Sequence, residues 1–419
     1  MDINKDSFIE IKTKMLNWAN QFNIFCFLDN NEYDFETPTF ECLLAVGCKQ
    51  TICFSETSDV EKLQAFYAKK PTWFFGHLGY NAFENAYTKN EETDFGNGFF
   101  FEPEIVLKLT NGKIEILQTS IDENIIKYEI ENTIVNIKIE KNEELKILPH
   151  ITKEEYIHKI KQLQQHILRG DCYEINFCQK FEAKNTTLNP IQKYLELIAL
   201  SPAPFGSLYK LNNAFCLCAS PERFLQKKGN KLISQPIKGT TRRNANATID
   251  TENKNHLLQS QKEKSENVMV VDIVRNDMSM VCEKGSVKVK ELFGIYSFPQ
   301  VHQMISTIEG TVAADLPFTK IIESCYPMGS MTGAPKKRVM ELIEQYEENQ
   351  RGLFSGSIGY ITPNADFDFN VVIRSIFYNE TKKEVSFFAG SGITFYSNAE
   401  EEYDECIAKA EALMKVLIS

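Results

Sequence analysis

The sequence predicts an α+β fold. Strand signals come in runs, single helices interrupt them, and the regular strand–helix–strand alternation of a doubly wound sheet is missing. In the N-terminal part, short apolar runs and the Gly-aromatic stretch WFFGHLGYNAF (73–83) read as strands. Residues 113–149 are rich in Ile, Lys, Glu and Asn. Alternating KIEIL and VNIKI segments predict edge strands there, followed by a charged connector near 141–147. That seam separates an N-terminal subdomain, 1–145, integrated into the same body, from a core at 146–419. Past the seam, Thr152 and Glu155 form a capping box, Tyr156, Ile160, Leu163 and Ile167 recur at helical spacing, and Gly170 supplies the stop. YEINFCQKF (173–181) alternates like a half-buried strand. Further strands are predicted at 215–219, 231–237, 286–292, 355–362, 369–378 and 384–389, and helices at 190–200, 252–274, 317–325, 335–347 and 398–417.

At 419 residues the chain is long enough to bury a substantial core, and 43% hydrophobic with 25% charged residues is ordinary for a soluble globular protein. A net charge of −11 argues against general nucleic-acid binding, which needs a basic footprint. No signal-peptide core and no membrane-length apolar run is present, so a cytoplasmic location is expected. Eleven scattered cysteines without a CxxC pair predict buried free thiols, with Cys216 and Cys218 sharing one strand face. The six histidines show no metal-binding spacing.

Five features point to chemistry, each with a plainer alternative. In QPIKGTTRR (235–243), Lys238 sits between Pro236-Ile237 and Gly239-Thr240, so it is either a turn-tip lysine or an ammonium held against apolar walls, able to act as a nucleophile. Glu263 and Glu266 share a face of one predicted helix. Glu402 and Glu405 repeat that spacing on the last, with Lys409 one turn beyond and Ser397 with Glu400 as its cap. Facing each other, such helices suit Mg²⁺, which takes one or two carboxylates plus waters and ligand oxygens; solvated ion-paired faces are the alternative. PMGSMTGAPKKR (327–338) is a turn or an anion-binding loop, without P-loop spacing. FAGSGI (388–393) places Gly390 and Gly392 where backbone can approach a ligand, or where a bulge sits. Arg374, inside the apolar FNVVIRSIF, needs a partner: a carboxylate ligand or an internal acid.

SPERF (220–224), PIKGT (236–240), KEKSENVMVVDIVRND (262–277), GSMTGAPKKR (329–338), SGSIGY (355–360), DFNVVIRS (368–375), AGSGI (389–393) and EYDECIAKA (402–410) resemble, in order, the motifs of chorismate-utilising enzymes. These are the large subunits of anthranilate and aminodeoxychorismate synthases, with isochorismate and salicylate synthases as relatives. The resemblance is dense from about 150 onward and weaker before, where FFGHLGY (74–80) is its main echo. It implies two β-sheets packed on each other, helices outside and the site between them. It implies that Glu266 and Glu405, supported by Glu263 and Glu402, hold Mg²⁺ against the ring carboxylate of chorismate. Arg374 and Tyr360 would grip the enolpyruvyl carboxylate, Gly390, Gly392 and Lys409 would surround the carboxylates, and Gly239 and Thr240 would line the pocket. Glu222 would be the general acid at the C4 hydroxyl.

Within the family, PIKGT is similar to the aminodeoxychorismate branch, where anthranilate synthases usually read PIAGT. The lysine, here Lys238, would attack C2 as the C4 hydroxyl leaves, and ammonia would then add at C4. Such a step needs a neutral lysine, which implies a site that disfavours its charge. Glu174 stands where water-using relatives carry a lysine base and aminating ones usually carry Gln, and Gln303 stands where many relatives carry His. ECLLAVG (41–47) lacks the serine of the LLES motif, so weak or no tryptophan feedback is expected. No glutaminase nucleophile is present, which implies a separate glutamine amidotransferase subunit as ammonia source. Anthranilate synthesis and a non-catalytic paralogue that binds chorismate or the amidotransferase are the alternatives.

Overall fold

The computed structural model describes residues 5–33, 40–54, 59–83, 93–135 and 145–418. Two large antiparallel sheets organise them. The first runs from the short Gly333–Ala334 strand through Glu174–Ala183, Glu384–Thr394, Ser375–Asn379, Ala214–Ser220, Phe205–Leu211, Ile24–Asp29, Cys42–Val46 and Ile105–Thr110 to Lys113–Gln118. The second runs from Ile237–Arg242 through Val301–Thr311, Lys231–Gln235, Arg223–Lys228, Phe367–Asn370, Ser357–Ile361, Phe74–Leu78 and Gly98–Glu102 to Gln50–Cys53. Strands from before and after residue 145 therefore share both sheets. VNIKI, apart from Val135, and most of the charged connector lie outside the described residues.

Apolar side chains form the layers. Cys26, Ala45, Val106, Tyr209 and Cys216 of the first sheet meet Phe75, Phe101 and Ile358 of the second. The outer face of the first sheet is covered by helices Lys5–Ala19, Lys153–Leu168, Pro190–Leu200 and Ala399–Ile418. That of the second is covered by Asp59–Lys69, Gln261–Ser279 and Phe318–Cys325. Burial of these faces is the main favourable term holding helices to sheets. Among the described residues no helix is long and apolar enough to cross a membrane. The cysteines are free; Cys53 is exposed, and Cys48 and Cys282 are half-buried, so three thiols lie outside the core.

Several elements differ from the sequence reading. The predicted helix 252–274 is two helices, Ala247–Gln259 and Gln261–Ser279, because extended Ser260 ends the first and caps the second, accepting from the Glu263 N–H. The last helix is capped by Asn398, which accepts from the Glu400 and Glu401 N–H groups, while the Ser397 hydroxyl accepts from Thr394 N. QPIKGTTRR is not a turn tip but an edge strand, Ile237–Arg242, paired with Val301–Thr311. Its register shifts between Ile237 and Thr240, where Gly239 takes φ +91°. Glu174–Ala183 is buried on both faces for most of its length, since helices cover one and the site lies toward the other.

Candidate active site

The site forms where the edges of the two sheets meet. Strand Glu174–Ala183 opens with Glu174, and the Ile237–Arg242 strand begins at Ile237 and Lys238. Lys238 Nζ lies 2.5 Å from Glu174 Oε1, with side-chain exposures of 12% and 3%. Burial works against the ammonium, but Glu174, Glu266 and Glu222 overcome it and hold the lysine above its ordinary pKa. This reverses the expected environment: the free site favours charged lysine.

Glu222 follows the Ala214–Ser220 strand and is anchored by Ser220, whose hydroxyl accepts from the Glu222 N–H. Its neighbours around a cavity include Ser234, Met328, Gly329 and Ser330. Burial pushes its carboxyl up to about 7, and the Ser330 side chain, Lys238, the Ile237 backbone and Arg374 pull only partly the other way. Arg374 is half-buried with φ +52°, a left-handed backbone that a non-glycine residue adopts only under constraint. Among the described residues its guanidinium makes no hydrogen bond or ion pair; Glu222 and Tyr33 are its nearest electrostatic influences. No internal acid is therefore within ion-pair distance of Arg374 among the described residues, although Glu222 favours its charge at longer range.

Helices Gln261–Ser279 and Ala399–Ile418 place four glutamates within electrostatic reach of Lys262, whose ammonium is favoured by Glu266, Glu402, Glu263 and Glu405 against its partial burial. Lys262 Nζ is 3.8 Å from Glu402 Oε1. Glu402 lies on the buried stripe of its helix rather than beside it. Burial raises the Glu266 carboxyl to about 7, with Lys238 opposing and Glu174 and Glu263 assisting, and Glu266 Oε1 is buried without a hydrogen-bond partner. That orphaned oxygen and the all-carboxylate donor set suit Mg²⁺. Among the described residues no three acidic, His or Cys side chains group closely enough to grip an ion, so a cation there would need ligand oxygens beside one or two carboxylates.

The glycines shape the floor. A Cβ on Gly392 would lie 3.0 Å from Lys238 Nζ and 3.1 Å from Glu174 Oε1, and one on Gly239 would lie 3.0 Å from Glu263 Oε2. A Cβ on Gly390 would strike the Phe177 carbonyl at 2.0 Å, so this glycine serves close strand pairing. Lys409 pairs with Glu405 at 2.7 Å and donates to the Gly390 carbonyl at 2.9 Å. Thr240 stands opposite Gln303, whose buried Oε1 has no hydrogen-bond partner. The GSMTGAP loop is a wall: Gly333 and Ala334 pair with Ile175 and Glu174.

Tyr360 is not brought into this constellation. Its ring packs against Phe40, Trp73 and Phe75, and it lines a second cavity with Asp29, Phe205 and Asp368. Alternation along Ser357–Ile361 turns it toward the layer between the sheets. Glu174, which the resemblance set where relatives carry a lysine base or Gln, does enter the site, paired with Lys238.

The facing edges of a two-sheet α+β body thus gather a largely buried lysine, three carboxylates and an arginine without an ion-pair partner among the described residues. The chain belongs to the chorismate binding enzyme family, which matches residues 27–415. It is 38% identical over 269 residues to a probable chloroplastic aminodeoxychorismate synthase of Oryza sativa subsp. japonica, covering 64% of this chain and 30% of that one. It is 36% identical over 268 residues to aminodeoxychorismate synthase component 1 of Escherichia coli (strain K12), covering 64% of this chain and 58% of that one. The matches thus span less than two thirds of these relatives' length. Anthranilate synthase component I of Streptococcus pneumoniae TIGR4 shares the fold with a TM-score of 0.78 at 24% identity, over 91% of this chain and 93% of that one.

Proposed function

We propose that this chain converts chorismate and ammonia to 4-amino-4-deoxychorismate, as an aminodeoxychorismate synthase component I supplying 4-aminobenzoate and folate synthesis. The observation that carries this reading is Lys238: a largely buried ammonium on the PIKGT strand, under the influence of Glu174, Glu266 and Glu222. The names of the two relatives above point the same way. Arg374 takes the enolpyruvyl carboxylate. Glu266 and Glu405, with Glu263 and Glu402 beside them, would hold Mg²⁺, which would supply positive charge for the ring carboxylate. Glu222, half-protonated near neutrality, donates its proton to the departing C4 hydroxyl. Lys238 Nζ bonds to C2 as the C4–O bond breaks, ammonia adds at C4, and the C2–N bond breaks to free the lysine. Two allylic displacements at opposite ends replace a hydroxyl by an amine on one carbon. Ammonia comes from a glutamine amidotransferase subunit, as the "component 1" of the relative's name suggests.

Incubation with chorismate, Mg²⁺ and ammonium tests this. 4-Aminobenzoate is expected only after an aminodeoxychorismate lyase is added. Direct appearance of fluorescent anthranilate would assign the chain to the other aminating branch, and chorismate binding without turnover would make it a non-catalytic paralogue.

A further inference from the structure

The Glu174–Lys238 pair joins the two sheets. Glu174 opens a strand of the first sheet, and Lys238 lies on the edge strand of the second. Glu174 Oε1 accepts from Lys238 Nζ at 2.5 Å, while Glu174 Oε2 is buried without a hydrogen-bond partner among the described residues. Two glycines crowd Glu174, one at its side chain and one at its backbone. Bare Gly392 lies against both charged groups, and Gly333, at φ +147°, is pressed so close that a Cβ there would lie 2.0 Å from the Glu174 carbonyl. Glu222 and Glu266 also face the ammonium, Glu263 and Glu405 feel it at longer range, and Arg374 faces Glu222. Of these carboxylates only Glu174 is within ion-pair distance of Nζ.

An amine nucleophile requires that Lys238 lose a proton inside a pocket with little access for solvent. We propose that Glu174 is the positioning residue that takes this proton from Lys238 and later returns it. The inference rests on the reaction proposed above. Lys238–NH₃⁺ and Glu174–COO⁻ become Lys238–NH₂ and Glu174–COOH, an exchange favoured when ligand entry dries the pair. Nζ then bonds to C2, the C4–O bond breaks, and the hydroxyl leaves as water with the proton of Glu222. Ammonia bonds to C4 and the C2–Nζ bond breaks, so Lys238 departs as neutral amine and recovers the proton from Glu174. The proton shed by the new C4 ammonium restores Glu222. A glutamine at 174 would hold the lysine but take no proton.

The test compares wild type, Glu174→Gln and Glu174→Asp. For Glu174→Gln, kcat at pH 7 is expected to fall at least about tenfold and to recover as pH rises toward 10, with KM within about threefold of wild type. Glu174→Asp, which keeps a carboxylate, should retain the wild-type pH profile. An unchanged profile in Glu174→Gln, or an equal loss at every pH, would overturn the proposal. Acetylation of Lys238 by acetic anhydride, followed by peptide mass spectrometry without chorismate, reads the pair independently of turnover. Glu174→Gln should label at least about tenfold faster than wild type at pH 8. Equal labelling would overturn the pair itself. Faster labelling in a protein that makes no aminodeoxychorismate would overturn only the proposed reaction.

Discussion

Glu222 carries the clearest pH signature at the scale of single residues. Its carboxyl rises from an ordinary 4.5 to about 7 because it is buried, so the folded chain binds a proton that the unfolded chain releases. The associated stability is fully present below pH 4.5 and is lost as pH rises through 7. Glu222→Gln, which imitates the protonated acid, should therefore melt higher than wild type at pH 8, by the equivalent of ~1–3 kcal/mol, with no difference at pH 4. The same change should cut kcat at least about a hundredfold and remove the alkaline limb that starts near pH 7 in kcat/KM. Thermal melts and rate profiles at both pH values check the two halves. Residue chemistry was unevenly legible. Lys238, Glu222, Arg374 and the four glutamates stood out through motifs, and the structure gathers them. Tyr360 stood in a motif too, but a strand shows alternate residues to opposite faces, and its side chain goes to the other one.

At the scale of elements, the close approach of Glu384–Thr394 to the lysine makes a sharp prediction. Gly392→Ala adds a methyl group about 3 Å from both Lys238 Nζ and Glu174 Oε1 without requiring a forbidden backbone. Activity should fall at least about tenfold while circular dichroism and the melting temperature stay near wild type, since the clash falls on flexible side-chain ends. A fully active Gly392→Ala would mean that the pair has room to spare. Helices with strong caps and stripes, such as Lys153–Leu168 and Pro190–Leu200, were readable almost to the residue. Strand Val301–Thr311 was not. It is buried on both faces and carries His302, Gln303, Ser306 and Thr307, so period-two alternation is absent. Ser260 was hidden for the opposite reason: helical pattern continues across it, and only the extended backbone divides the element.

For the molecule as a whole, the α+β class followed from element order, but the pairing of distant strands did not. Ile24–Asp29 lies beside Phe205–Leu211, and Glu174 meets Lys238 only because two sheets converge at their edges. Such contacts depend on global packing, which local periodicity does not encode. The proposed function rests on this convergence making Lys238 the nucleophile for amination of chorismate at C4. Its most direct test is product analysis of wild type and Lys238→Ala with chorismate, Mg²⁺ and ammonium, using variants of equal melting behaviour. Wild type should make aminodeoxychorismate, and Lys238→Ala should make it at below about 1% of that rate. Full aminodeoxychorismate synthesis by Lys238→Ala would contradict it.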